Sequence, residues 1–245
     1  MYVIFNGKDS RELEIDLEVT GWTRPVLPES RDELIFIEKK HGSRLNKKPL
    51  GNRAITIHFR AYFSEDEKLE TVERLAAWLY TEDFEKLVLS DEPNVYYMAK
   101  VLESIDLTPE LFRAEFSITF VCQPFKYGEE KSETFENQNS GVIEVDGTYE
   151  SPPIIKVVVA QTTNFFEFKL NDVAITYESD EEPIEAGDTV EINVQNLEFR
   201  INDKLKVLEV DGYFNFLQNG ENTFSVNVDV ESVTIEWQEL YLFKL

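Results

Sequence analysis

Strict alternation of apolar and polar residues is the feature that most constrains the fold of this chain. The clearest runs are residues 13–19, 55–59, 116–122, 166–170 and 224–230. Successive side chains of a β-strand point to opposite faces, so each run predicts a strand with one buried face. Because such runs recur from end to end, we expect a mainly β protein.

The alternation changes phase twice in the second half of the chain. One change falls at Asn196, and the other lies between Val230 and Val233. A shift of one residue would send a strand's apolar side chains to the opposite face, so we expect a bulge or a bend at each point. Tight turns are predicted at Asn171-Asp172, Asp211-Gly212 and Asn219-Gly220. Many short strands joined by turns favour a β-sandwich.

One segment has the pattern of a helix. Ser64-Glu65-Asp66-Glu67 resembles a capping box, in which the Ser and the Glu satisfy each other's backbone N–H groups. The helix is expected to end near Tyr80. Its predicted buried face consists of Leu69, Val72, Leu75, Ala76 and Leu79.

A change of composition predicts two domains. Residues 127–153 are polar and rich in turn-forming residues, whereas alternating strands lie on either side. We therefore expect an N-terminal domain of residues 1–133 and a C-terminal domain of residues 134–245.

The charge of the chain limits its partners. It has 48 acidic and 24 basic residues, a formal net charge of −24. Neutralising the phosphates of nucleic acid requires surplus Lys and Arg, so we expect no specific nucleic-acid binding. We also expect no membrane association, because anionic headgroups repel acidic proteins and no segment approaches the ~20 apolar residues of a span. The N-terminus lacks a secretory pattern, which predicts synthesis and retention in a cytoplasm.

The residues that usually carry catalysis are scarce. His41 and His58 have no spaced His or Cys partners, and Cys122 shares the apolar face of its run. The sequence contains no nucleophile elbow and no phosphate-binding glycine loop. The acidic run 178–182 lacks the spacing of a calcium loop. We therefore expect neither an enzyme nor a metal or cofactor site.

Two other functions stay open on residue types alone. Trp237, Tyr213 and Phe214 would offer stacking surfaces for sugars in a carbohydrate-binding β-sandwich that aids adsorption to a cell wall. With so many acids, a pair of carboxylates for glycoside hydrolysis could also occur.

The most unusual feature is a basic stretch in this acidic chain. Residues 39–53 contain no acid. The stretch is either a solvated loop or an arm that contacts a neighbouring acidic subunit, where opposite charges steer the contact. The candidate arm residues are Lys39, Lys40, Arg44, Lys47, Lys48 and Arg53.

Several short segments, in this order and spacing, resemble the distal tail protein family of siphophages, the long-tailed, non-contractile phages. In residues 1–125 they include the opening Phe5-Asn6-Gly7-Lys8-Asp9-Ser10, Arg24-Pro25-Val26-Leu27-Pro28, Leu75-Ala76-Ala77-Trp78-Leu79, Leu87-Val88-Leu89-Ser90-Asp91-Glu92-Pro93 and Gln123-Pro124-Phe125. In the second half they include Ser151-Pro152-Pro153, Gly187-Asp188-Thr189 and Leu217-Gln218-Asn219-Gly220.

This resemblance implies a fold and a function. The N-terminal domain would be a β-sandwich-like unit with one α-helix and an extended arm. The C-terminal domain would be a galectin-like, or carbohydrate-module-like, β-sandwich. Six copies would form a ring at the tail tip of a phage, a defective prophage or a tail-like bacteriocin.

The resemblance also implies partners. They would be the major tail tube protein, the tail-tip lysin-like protein and receptor-binding proteins. The protein would be made in the host cytoplasm and would reside in the virion. The family supplies no catalytic residue.

Overall fold

The computed structural model describes residues 1–64, 66–103 and 113–243. The chain divides into two compact units. The N-terminal unit contains Met1–Tyr127 and the chain end from Leu242, and the C-terminal unit contains Gly128–Tyr241. Both are built mainly from antiparallel strands, so the predicted mainly β class is confirmed. No helix in the described part of the chain has the length and apolar character needed to cross a membrane.

A seven-stranded antiparallel sheet forms the body of the N-terminal unit, in the order β2-β1-β7-β8-β9-β6-β3. Its strands are β1 (Val3–Phe5), β2 (Lys8–Asp9), β3 (Asp16–Thr23), β6 (Arg53–Tyr62), β7 (Glu85–Leu89), β8 (Tyr97–Val101) and β9 (Arg113–Cys122). A separate hairpin pairs β4 (Glu33–Phe36) with β5 (Ser43–Asn46). The predicted strand over 13–19 begins later, at Asp16, because a short 3-10 helix (Ser10–Glu12) and the positive φ of Glu14 precede it.

Helix α1 (Lys68–Leu79) packs on this sheet through Trp78. The Trp78 indole N–H donates to the Phe5 carbonyl at 3.0 Å, and its ring meets Phe5 and Phe59 edge-on at 6.3 and 6.1 Å. The predicted buried face was therefore partly wrong. Leu75 and Leu79 are buried with Trp78 and Thr71. By contrast, the remaining predicted residues are exposed, namely Leu69, Val72 and Ala76.

The start of α1 follows part of the capping-box prediction. The Ser64 N–H and hydroxyl donate to the Glu67 carboxylate at 3.0 and 2.6 Å, so Glu67 reaches back as expected. The Ser64 side chain thus acts as a donor to Glu67, and the helix begins only at Lys68. Glu65 lies outside the described residues.

Two antiparallel sheets enclose the core of the C-terminal unit. The first has the order β10-β20-β12-β15-β16-β17, and the second has the order β11-β19-β13-β14-β18. Buried side chains from both sheets, among them Phe166, Phe168, Phe199 and Trp237, form one cluster. The strands are β10 (Lys126–Glu136), β11 (Ser140–Val145), β12 (Ile154–Val159), β13 (Phe165–Leu170), β14 (Val173–Glu178), β15 (Thr189–Asn193), β16 (Glu198–Ile201), β17 (Lys204–Lys206), β18 (Val210–Gly212), β19 (Gly220–Val226) and β20 (Val230–Tyr241).

The two phase changes have different structural causes. At Asn196 the chain turns from β15 into β16, which pair as a hairpin, so the change separates two strands. Near Val230 the register between β12 and β20 shifts, since Val158 pairs with Ser232 but Val159 pairs with Val230. Glu231 is the extra residue of a bulge there, as the second phase change predicted.

The predicted turns had mixed outcomes. Asn171 and Asp172 both have positive φ and join β13 to β14, as a two-residue hairpin loop requires. The prediction for Asp211-Gly212 was wrong, because both residues lie in β18. Gly212 is needed there for a close approach, since a Cβ would lie 2.4 Å from the Ala174 carbonyl oxygen at a φ of +108°.

Candidate functional site

An exposed hairpin extends from the N-terminal unit and contains most of the predicted basic residues. We call residues 29–49 the arm, since every residue in this range is exposed. Its base is closed by two backbone bonds, Gly51 N–H to the Glu29 oxygen at 2.8 Å and Glu29 N–H to the Asn52 oxygen at 3.3 Å. The basic stretch, for which the sequence left a loop and an arm open, therefore contains the second strand of a hairpin.

The arm has one apolar and one polar face. Directly paired residues of an antiparallel ladder point to the same side. The pair Leu34–Leu45 and the neighbouring Phe36 thus share one face, while Ile35 and Arg44 share the other. The three apolar side chains on the first face are all exposed, and Phe36 is 78% accessible. An isolated two-stranded hairpin is marginally stable in water, so this uncovered face would gain most from contact with another surface.

The tip of the arm is basic. Lys39 has a φ of +64° and Gly42 a φ of +84°, which allow the chain to reverse between β4 and β5. Of the predicted residues, Lys48 pairs with Glu33, and its backbone N–H donates to Asp32 at 2.9 Å. Four predicted residues have no carboxylate within 4.0 Å among the residues that the structure describes, namely Lys39, Lys40, Arg44 and Lys47.

Arg53 is placed differently from the other five predicted residues. It lies in β6 and is only 3% exposed. Its guanidinium donates to the carbonyls of Pro124 at 2.6 Å, Val26 at 3.4 Å and Leu242. Burial lowers the pKa of Arg53 from its ordinary value. Arg53 therefore stabilises the interior of the N-terminal unit. It is not part of the basic surface of the arm.

The apolar face of the arm was missed at the sequence level. The signal was present in Glu33-Leu34-Ile35-Phe36-Ile37, which reads as a buried strand. The basic residues of the arm follow this apolar segment, and the sequence-based prediction rested on their charge alone. Only the exposure of the whole hairpin shows that these apolar side chains face solvent in the isolated chain.

The three aromatic residues proposed for sugar stacking do not form one surface. Trp237 is buried in the core of the C-terminal unit, where its indole N–H donates to Glu239 at 3.2 Å. Phe214 packs against the same core, whereas Tyr213 is 77% exposed. A single accessible ring is less than the stacking platform that the carbohydrate-binding hypothesis required.

The cysteine and the two histidines, the residue types that most often carry catalysis, lie apart from one another in the structure. Cys122 is fully buried, and desolvation raises the pKa of its thiol to about 12. His58 Nδ1 lies 2.7 Å from the Ser117 hydroxyl on the neighbouring strand, on an exposed face. His41 lies exposed in the turn of the arm. Within residues 1–64, 66–103 and 113–243, no three His, Cys, Asp or Glu side chains are grouped to hold a metal ion.

Comparisons with known proteins agree with this architecture. A family model for the phage tail protein RIFT-related domain matches residues 4–122. A second model, for the C-terminal domain of siphovirus-type tail components, matches residues 146–241. No curated protein sequence matches the chain.

Solved structures show the same likeness. The chain is similar to the Dit protein of phage SPP1, described as a paradigm of the hub adsorption apparatus in phages that infect Gram-positive bacteria. The identity is 16% and the TM-score 0.79, with 98% of each chain covered. The phage P2 baseplate in its activated conformation with Ca matches at 10% identity and a TM-score of 0.48, with 99% of each chain covered.

Proposed function

Because the chain belongs to the distal tail protein family of siphophages, we propose that six copies close into a ring that joins the tail tube to the tail-tip proteins. The chain is a structural protein of the phage tail and a component of the virion. The finer assignments are the hexamer, its position between the major tail tube protein and the tail-tip lysin-like protein, and attachment of receptor-binding proteins.

The exposed arm is the observation that carries this proposal. In a closed ring, each copy presents one surface to the next copy and receives the same surface from the previous one. An arm with an exposed apolar face and four cations that pair with no carboxylate of the described residues suits such a head-to-tail contact, because the rest of the chain is strongly acidic. We therefore assign inter-subunit contact to Lys39, Lys40, Arg44, Lys47 and Lys48.

The two domains take different roles in the proposed ring. Ring formation is assigned to the N-terminal domain, with the limits 1–133 predicted from the sequence, and not to the C-terminal domain, residues 134–245. The large negative charge suits a channel through which DNA slides, since like charges repel. The same charge argues against specific nucleic-acid binding.

Light scattering on the purified protein tests the ring. One copy has a mass of 28.5 kDa, so we expect a species near six times that mass at low salt. Reversing two arm charges with K39E and R44E should reduce this species. Reversing the exposed Lys8 and Lys204 makes the same change in net charge and should leave it intact. A monomer at every salt and protein concentration would contradict a ring formed by this chain alone.

A further inference from the structure

Helix α1 has a second apolar stripe, which is exposed to solvent. Leu69, Val72, Ala76 and the C-cap residue Tyr80 recur at helical spacing and are all exposed, Tyr80 to 75%. This stripe is distinct from the buried one through Leu75 and Trp78. A helix with two apolar stripes is suited to packing against two partners, of which the sheet is only the first.

A groove of about 330 Å³ runs beside this stripe. Its lining is almost entirely apolar, with Glu103 as the charged member. The helix contributes Val72, Ala76, Leu79 and Tyr80, and the sheet side contributes Val101 and Phe116. Large uncovered apolar surfaces on soluble proteins mark interaction sites, so this groove is a candidate receptor for a protein segment.

The arm matches the groove in both polarity and charge. Phe36, Leu34 and Leu45 present an exposed apolar face. Residues 31–48 contain six bases and three acids, whereas residues 66–83, which span α1, contain six acids and two bases. Burial of the apolar face would drive the contact, and the opposite charges would steer its orientation.

We propose that the apolar face of the arm of one copy lies in the α1 groove of the next copy. This inference rests on the proposed ring and names its two contacting surfaces. The arm of the same chain does not fill the groove, because all its residues are exposed. From the Glu29–Gly51 backbone pair to the tip, about ten extended residues reach up to ~33 Å, far enough to contact a neighbour. Each copy supplies one arm and one groove, so every surface is occupied when the ring closes.

Cysteine cross-linking between two single variants tests this contact. Phe36→Cys and Ala76→Cys are purified separately, mixed under mild oxidation and separated without reductant. We expect a covalent dimer in the mixture well above the level in either variant alone. The native Cys122 is buried and contributes no background. Mixing Phe36→Cys with Leu197→Cys, an exposed position in the C-terminal unit, is the matched control and should give background only.

Light scattering on the same mixtures separates the inference from the ring. Cross-linking together with a sixfold mass supports both, and cross-linking in species of other sizes supports the contact while contradicting the hexamer. A sixfold mass with no 36–76 cross-link above the control overturns the contact and leaves the ring standing. Monomers without cross-linking overturn both.

A second pair of variants tests the contact without engineered cysteines. Phe36→Ser should weaken self-association at least ten-fold without lowering the thermal stability of the monomer, because its side chain is exposed. Phe165→Ser, at an exposed position of the C-terminal unit, should leave self-association unchanged. Equal association of the two variants would overturn the proposal.

Discussion

Arg44 and Arg53 belong to the same basic stretch, and burial gives them different roles. Arg44 is exposed on the polar face of the arm. Arg53 begins β6, the strand that pairs with both β3 and β9, and donates to three carbonyls from distant parts of the chain. A guanidinium has five donors in a planar fork, so one side chain can satisfy several acceptors that no backbone N–H reaches.

Removing this guanidinium should destabilise the N-terminal unit strongly. Arg53→Met leaves the part-buried carbonyls of Pro124, Val26 and Leu242 without this donor. We expect the free energy of unfolding of this unit to fall by about 2–4 kcal/mol, measured by urea denaturation. Arg44→Met, at an exposed position, should change it by less than about 0.5 kcal/mol. Equal effects would contradict the structural role of Arg53.

Cys122 should behave as an apolar core residue. Burial raises the pKa of its thiol to about 12, and only the thiolate attacks disulfide reagents. At pH 8 we expect no reaction of the native protein with such a reagent over hours and one thiol per chain after denaturation in urea. Rapid reaction of the native protein would show that β9 opens readily.

At the scale of elements, α1 shows why periodicity predicts a helix more reliably than the side it buries. Leu69, Val72, Leu75, Ala76 and Leu79 do recur at helical spacing. Burial nevertheless follows Trp78, because its large ring and indole N–H find partners on the sheet. An apolar residue on a helix can face a core or a partner, and the pattern alone does not separate the two.

Two alanine substitutions distinguish the stripes. Trp78→Ala removes a fully buried side chain and its hydrogen bond to Phe5, so we expect a loss of about 3–5 kcal/mol in unfolding free energy. Leu69→Ala, at a position 70% exposed, should change it by about 0.5 kcal/mol or less. Thermal or urea denaturation followed by circular dichroism measures both. A larger loss for Leu69→Ala would indicate that the second stripe is already covered within the chain.

Strand runs were the most predictable elements, because a half-buried strand must alternate. The runs over 55–59, 116–122 and 166–170 lie in β6, β9 and β13. The phase changes were less informative, since a hairpin turn and a bulge both shift the pattern by one residue. Asp211-Gly212 looked like a turn because glycine serves both turns and close backbone contacts, and only the position of Ala174 separates these uses.

The sequence predicted the positive charge of the arm but not which of its residues are exposed. Composition identified its cations, because a cluster of Lys and Arg in an acidic chain is visible without knowledge of the fold. The exposure of Phe36 and the burial of Arg53 both depend on which segments the sheet covers, and this is decided by residues far away in sequence. Tertiary contacts therefore determine which members of a charged stretch form a surface.

At the scale of the whole molecule, the net charge of −24 acts against assembly. Copies this acidic repel each other, so a ring needs local contacts that overcome the repulsion. In the proposed ring, a basic arm with an apolar face would supply apolar and charged contacts at one place. The remaining acidic surface keeps unassembled copies soluble and discourages random association.

The division of the chain into domains gives the last prediction. Composition placed the boundary between residues 133 and 134, whereas the compact units divide between Tyr127 and Gly128. A fragment of residues 134–245 loses most of β10, including Lys131, which lies 3.1 Å from Glu239. The Glu239 carboxylate is 1% exposed, and it would stay buried without its cation.

We therefore expect residues 128–241 to fold alone with a single cooperative transition, because one continuous core lies within them. The fragment 134–245 should be less stable by about 3 kcal/mol or more. Lys131→Met in the 128–241 fragment should reproduce a large part of this loss. This variant removes the ion pair with Glu239 and keeps the strand, whereas the shorter fragment also removes part of β10. Urea denaturation of the three proteins measures the differences. Equal stability of the two fragments would place the functional boundary at residue 134 and show that the first part of β10 is dispensable for the C-terminal fold.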